Sequence, residues 1–248
     1  PKGIRTALQV LIDLILIAIR NQQGHPKDID SLPDDLDGTA TLKVLSKALM
    51  LAKRLTGNDA GSLGLHPAVY FYGPTGRHSG PMFMGTVSLI GKKLSNNDQT
   101  FFQKFTDVRA KLETVLIDQK DLIATILQKH ASAKRVDKYA TLLDGVVDQL
   151  ALQGSVTETD LIKLAGLDGK IVIGANFDAT SQFSDETKSE VFIRAALSSS
   201  IKCPICYGYL DTEKSVSYDH IIRAREGGLG HTSNCQLTHP YCNQSVKQ

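Results

Sequence analysis

The chemistry in this chain gathers at its end. Cys203 and Cys206 are separated by two residues, and so are His239 and Cys242. Two donors at that spacing reach one ion from a tight turn, and two such pairs fill the four positions of tetrahedral zinc. Between and after the pairs lie residues with a different use: Asp219-His220, Gly227-Gly228, Asn234, Asn243 and Lys247. An imidazole can take a proton from water. A carboxylate and an amide carbonyl are hard oxygen donors that suit an ion such as Mg²⁺. A carboxylate, an imidazole and two amides brought together in this way suit phosphodiester hydrolysis.

Those side chains need a scaffold, and the local sequence supplies one. Residues 215–222 can form a strand that presents Asp219 and His220 on opposite faces. Gly227-Gly228 turns the chain, and residues 234–237 can return as a second strand. Pro240 stands at a favoured first helical position and opens a helix from Tyr241 toward Lys247. A hairpin of this size buries too little apolar surface to hold itself, so the metal is expected to act as its staple.

With strand, strand, helix and two knuckles in place, the segment resembles the HNH endonuclease family and its ββα-metal fold. The family pattern runs C-x-x-C, Asp-His, an apolar pair, Gly-Gly, Asn six residues later, then C-x-x-C-N-x-x-K. This chain supplies Asp219-His220-Ile221-Ile222, Gly227-Gly228, Asn234, Cys242-Asn243 and Lys247. By resemblance, His220 is the general base, and Asp219 and Asn243 hold a catalytic divalent ion, Mg²⁺ for choice. Asn234 holds the hairpin and orients His220. Cys203, Cys206, His239 and Cys242 hold a structural Zn²⁺. The partner implied is DNA, cut to leave a 5′-phosphate and a 3′-hydroxyl, with Arg223, Arg225 and Lys247 as candidate phosphate contacts. Two positions depart from the pattern: His239 stands where cysteine is usual, and Asn243 where histidine is. Imidazole binds zinc well, and an amide oxygen favours Mg²⁺ over softer ions. Arg223 replaces a common proline. Cys235 is expected as a small core residue, and His231 as an exposed turn residue.

The preceding 200 residues read mainly as helix, giving a mainly α chain with region 1–200 followed by a small C-terminal domain, 201–248. Apolar periodicity predicts helices over 6–22, around 42–55, and over 82–94, 98–118, 120–130, 134–152, 157–164 and 184–197. An extended stretch is expected at 68–72 and a short strand at 170–174. Val136, Tyr139, Leu143, Val146 and Leu150 form one stripe, read as bundle core. Arg77, His78 and the basic group Lys129, His130, Lys134, Arg135 and Lys138 are further candidates for DNA-backbone contact. The arrangement of helices leading into such a module resembles, weakly, ParB-like restriction proteins with a DGQQR motif.

Composition bounds the rest. The chain has 248 residues, 42% hydrophobic and 22% charged, with a formal net charge of +2. Bulk charge does not drive nucleic-acid binding at that value, so contacts must come from local patches and a bound metal. All four cysteines lie beyond residue 202, which suggests a metal site in a reducing compartment, the cytoplasm, rather than a disulfide framework. The apolar run 8–19 is interrupted by Asp13 and is too short to span a bilayer, so no membrane partner is expected. The chain opens on Pro1 and reads as a piece of a longer protein, whose other domains or defence subunits would be partners. A rival reading is a zinc-stapled DNA- or protein-binding module without catalysis.

Overall fold

A computed structural model describes residues 4–20, 32, 34–170 and 182–247. It is mainly helical, with a small two-stranded sheet near the C-terminus. The upstream region is built from α1 (Ile4–Arg20), α2 (Thr39–Leu55), α3 (Pro67–Tyr70), α4 (Gly80–Ser95), α5 (Gln99–Asp107), α6 (Arg109–Asp118), α7 (Lys120–Gln128), α8 (Arg135–Gln153), α9 (Glu158–Leu164) and α10 (Asp185–Ser198). No helix of the described residues is long and apolar enough to cross a membrane.

Several starts follow from the residue at the cap. Thr157 and Asp160 form a reciprocal capping box on α9, and Ser184 Oγ accepts from Thr187 N at α10. The most extensive helix pairing is α4 with α8. Tyr139, Leu143, Val146 and Leu150 of α8 are buried there with Met82, Val87 and Ile90 of α4, so the stripe is core. The first two helices pack on this core less fully: α1 buries Ile15, Ile17 and Ile19 but leaves Leu8 and Leu11 exposed. On α2, Leu42, Leu45 and Leu49 are also exposed.

Two expectations about this region change. The single helix expected over 98–118 breaks at Val108, whose φ of −98° and ψ of 2° leave the α-helical range. The break re-aims the chain so that Phe101, Phe102 and Phe105 before it, and Arg109, Leu112 and Leu116 after it, are all buried. The stretch expected to be extended, 68–72, instead forms most of α3. Pro67 presets the first helical φ, and the Lys120 ammonium caps the other end. Its Nζ donates to the carbonyls of Ala68, Val69 and Tyr72 at 2.7, 3.1 and 3.0 Å. Tertiary capping thus overrides the β-preference of Val-Tyr-Phe-Tyr. Burial pulls the Lys120 amine down to about 8. The strand expected at 170–174 lies, beyond Lys170, outside the described residues.

After α10 the chain forms the first knuckle, strand β1 (Ser217–His220), strand β2 (Cys235–Thr238) and a terminal helical turn that is π-type over Cys242–Val246. β1 and β2 are antiparallel, with Asp219 opposite Gln236 and His220 opposite Cys235. β1 is shorter than the 215–222 expected, and β2 has the expected length but starts one residue later than 234–237. Ser215 and Val216 are instead bonded to the helical region: Ser215 Oγ meets Thr56 Oγ1 at 2.9 Å and Gly57 N at 2.8 Å, and Val216 N donates to Asn58 Oδ1 at 2.7 Å. Tyr241 N donates to Ser62 O, and the Tyr241 ring joins the main core beneath the Arg54 guanidinium.

Candidate metal centre and hydrolytic site

The first knuckle is a tight loop in which Tyr207 N donates to Cys203 O and Cys203 N to Gly208 O. It delivers Cys203 and Cys206 to His239 and Cys242, which lie at the end of β2 and the start of the terminal turn. All four ligands are buried, and their donor atoms lie within 4.8 Å of one another. His239 Nδ1 is 3.3 Å from Cys206 Sγ and 3.9 Å from Cys242 Sγ. Around tetrahedral zinc, a sulfur and a nitrogen ligand stand roughly 3.6 Å apart. The group could therefore hold a metal such as zinc.

The surroundings prepare the donors. His239 Nε2 donates to Tyr209 O at 3.0 Å, and a carbonyl can only accept, so Nδ1 keeps its lone pair for the ion. Burial, followed by the Arg109 charge, lowers the His239 pKa and keeps the ring neutral. Hydrogen bonding by the neighbouring Cys206 and Cys242 thiols pulls Cys203 well below the thiol range. The same bonds push Cys206 up to about 11 and Cys242 far higher. The three sulfurs hydrogen-bond to one another, and a dication, which takes sulfur as thiolate, would displace the protons they share.

Behind this centre stands a buried pair. Arg109 and Glu113 are 2% and 1% exposed in their side chains and meet at 2.8 Å. Arg109 also donates to Leu63 O and Gly64 O, while Tyr70 Oη donates to Glu113 Oε1 and Tyr209 N to Glu113 Oε2. Both charges are thereby satisfied, and the loop 63–64 is fixed against the knuckle. Gly64 sits at φ +57°, and a Cβ there would come within 2.8 Å of His239 Cδ2 and 3.1 Å of Ser215 Cβ.

At the strand end, burial alternates along β1: Asp219 is buried and His220 exposed. Asp219 and His220 border a cavity of about 260 Å³ together with Leu229, His231, Asn234 and Cys235. Among the described residues no hydrogen bond reaches the His220 ring. Asn234 ties the connecting loop to itself: Oδ1 accepts from Ile222 N at 2.7 Å, and Nδ2 donates to Ile222 O and Leu229 O. Its amide bonds thus go to backbone rather than to the imidazole. Gly227 takes φ +89°, and a Cβ at Gly228 would collide with the Ile222 carbonyl, so both glycines are required by the turn.

The terminal turn faces the buried side of β1. Asn243 Nδ2 donates to Ser217 Oγ at 2.8 Å and to Tyr218 O at 3.2 Å, which leaves Oδ1 as a free acceptor. Lys247 follows Asn243 by four positions rather than the three of the N-x-x-K pattern. The π turn, closed by Lys247 N on Cys242 O, takes up the extra residue and brings Lys247 Nζ to 2.7 Å from Asp219 Oδ2. Gln236 Nε2 donates to the same oxygen at 2.8 Å. Among the described residues, no hydrogen bond is made to Asp219 Oδ1 or to Asn243 Oδ1.

Comparison with protein-family models, curated proteins and solved structures finds no match for this chain.

The remaining expected residues are placed as follows. Arg223 turns inward and donates to Lys247 O, with Glu226 3.8 Å away, whereas Arg225 lies exposed in the neighbouring 3-10 turn. Lys247 contacts Asp219 and the His220 carbonyl rather than open solvent. Arg77, His78, Lys129, Lys134 and Lys138 are exposed, and Arg135 Nε donates to His130 O. His231 is exposed and its Nδ1 meets Ser233 Oγ. Cys235, expected in the core, is exposed: in the observed register its side chain shares the open face with His220, not the buried face with Asp219. Gln236, Tyr209 and the Arg109–Glu113 pair were not anticipated. Counting the hairpin register back from Asp219 would have found Gln236; no local signal points to the others.

Proposed function

We propose that this chain is a metal-dependent DNA endonuclease of the HNH type. The observation that carries the reading is the meeting of Asp219 on β1 with the terminal turn of Asn243, beside an open cavity that contains His220. A Cys₃His group clamps the same hairpin at its other end. In this reading Cys203, Cys206, His239 and Cys242 hold structural zinc, and Asp219 and Asn243 hold Mg²⁺ through Oδ1 atoms. The divalent ion, when bound, supplies stabilisation of charge on the phosphate and the leaving oxygen. His220, exposed at the cavity, takes the proton of the attacking water. Asn234 keeps the 222–229 loop from closing over it. Arg225 stands free for a DNA phosphate.

The wider role we assign is defence or restriction in the cytoplasm, on the arrangement of helices that leads into the nuclease module. The exposed leucines of α1 and α2 leave an apolar face on which further domains of a parent chain or partner subunits can dock. A second reading, a zinc-stapled binding module without catalysis, draws on one observation: Asp219 is already neutralised by Lys247.

Incubating zinc-loaded protein with supercoiled plasmid, with Mg²⁺ and with EDTA, separates the two. The nuclease reading requires Mg²⁺-dependent nicking with 5′-phosphate ends; DNA retention without nicking at any divalent-ion concentration would favour the binding module.

A further inference from the structure

The inference concerns Lys247 and rests on the assignment of Asp219 and Asn243 as ligands of a divalent ion. Asp219 is 7% exposed, and a carboxylate withdrawn from water needs compensating charge. Here it comes from within the chain. Lys247 Nζ sits 2.7 Å from Oδ2, donates also to the His220 carbonyl, and has a side chain only 20% exposed. The Lys247 carbonyl accepts from the Arg223 guanidinium, so the residue is held through its backbone as well as its tip. Gln236 Nε2 makes the other bond to Oδ2, a neutral one. The ammonium therefore occupies one carboxylate oxygen, while the other accepts no hydrogen bond from the described residues, and Asp219 itself borders the cavity.

We propose that Lys247 is a resident cation which holds the Asp219 carboxylate before a divalent ion arrives and opposes that ion's binding. It thereby sets the ion concentration at which the site loads. Gln236 is the neutral strut that keeps the carboxylate oriented while the lysine gives way. A unit charge about 5 Å from a dication weakens its binding by about tenfold, even with water-like screening. Lys247 is thus a positioning and threshold residue. A phosphate contact would leave its ammonium free for DNA.

The test is Mn²⁺ binding to the zinc-loaded full chain, followed by electron paramagnetic resonance in the absence of DNA. Lys247→Met should bind Mn²⁺ about tenfold more tightly than wild type. Lys247→Arg, which keeps the charge, should bind like wild type and also shows whether a change at this position perturbs folding. Adding Gln236→Leu to Lys247→Met should remove the gain, and Asp219→Asn should remove binding in every background. If Lys247→Met binds no more tightly while Asp219→Asn still abolishes binding, the resident-cation proposal is overturned and the metal site stands. If no variant with Asp219 intact binds Mn²⁺, the divalent-ion assignment itself falls, and the nuclease reading with it.

Discussion

At the knuckle end of the hairpin, Cys203, Cys206, His239 and Cys242 are at most 5% exposed and converge on one point. At the strand end, a few residues away along the same β1 and β2, His220 is exposed and Asp219 leans on a lysine, with two oxygens left over. One end offers a complete, dry donor set, and the other an incomplete set beside a cavity. A metal that holds a fold must be enclosed, because its binding free energy is the folding free energy. A metal that works on a substrate must keep positions open. Under the proposed function, the hairpin would separate these duties by giving one to sulfur and nitrogen, the other to oxygen.

The comparison breaks most readily at the closed end. Cys203→Ser leaves an incomplete ligand set, and the expected loss is on the order of 10 kcal/mol of metal-linked stability. Zinc content should drop from about one ion per chain, and the amides of β1 and β2 should lose protection from hydrogen exchange while α4 and α8 keep theirs. Full protection of both strands in a zinc-free protein would show that the staple is unnecessary.

At the open end, His220→Ala should leave zinc content and thermal unfolding unchanged but slow plasmid nicking by roughly 10²- to 10⁴-fold. Cleavage at the wild-type rate would remove His220 from the chemistry and dissolve the contrast.

A smaller effect lies behind the closed end. Arg109→Leu strands the buried Glu113 carboxylate, which receives Tyr209 N from the knuckle. Removing one member of a buried pair costs about 3–5 kcal/mol. Thermal denaturation should report it, together with faster zinc release to a chelator. A variant that loses stability but releases zinc at the wild-type rate would show that the pair serves the helices alone.

How much of this the sequence disclosed follows from the range of the interactions. The Cys₃His group, the hairpin and the helical character upstream are written in short-range spacing and were legible. The role of Lys247 was not: the sequence puts it one position beyond the N-x-x-K pattern, and only the π-type turn brings it onto Asp219. Cys235 was misplaced because its exposure is set by pairing with exposed His220 across the hairpin, which residue type alone does not disclose. The break at Val108 and the helix at α3 depend on partners far along the chain, Lys120 among them. Seams such as Ser215 with Thr56, more than 150 positions apart, leave no local trace.

One of those seams has a genetic consequence. With no room for a side chain between Gly64 and the His239 ring, a residue of the helical region acts as part of the wall that shapes a metal ligand's position. Gly64→Ala should therefore present as a zinc-deficiency allele, its defect eased by zinc supplementation, although residue 64 donates nothing to the ion. Suppressors of such an allele should map to Ser215, the other side chain that a Cβ at position 64 would crowd.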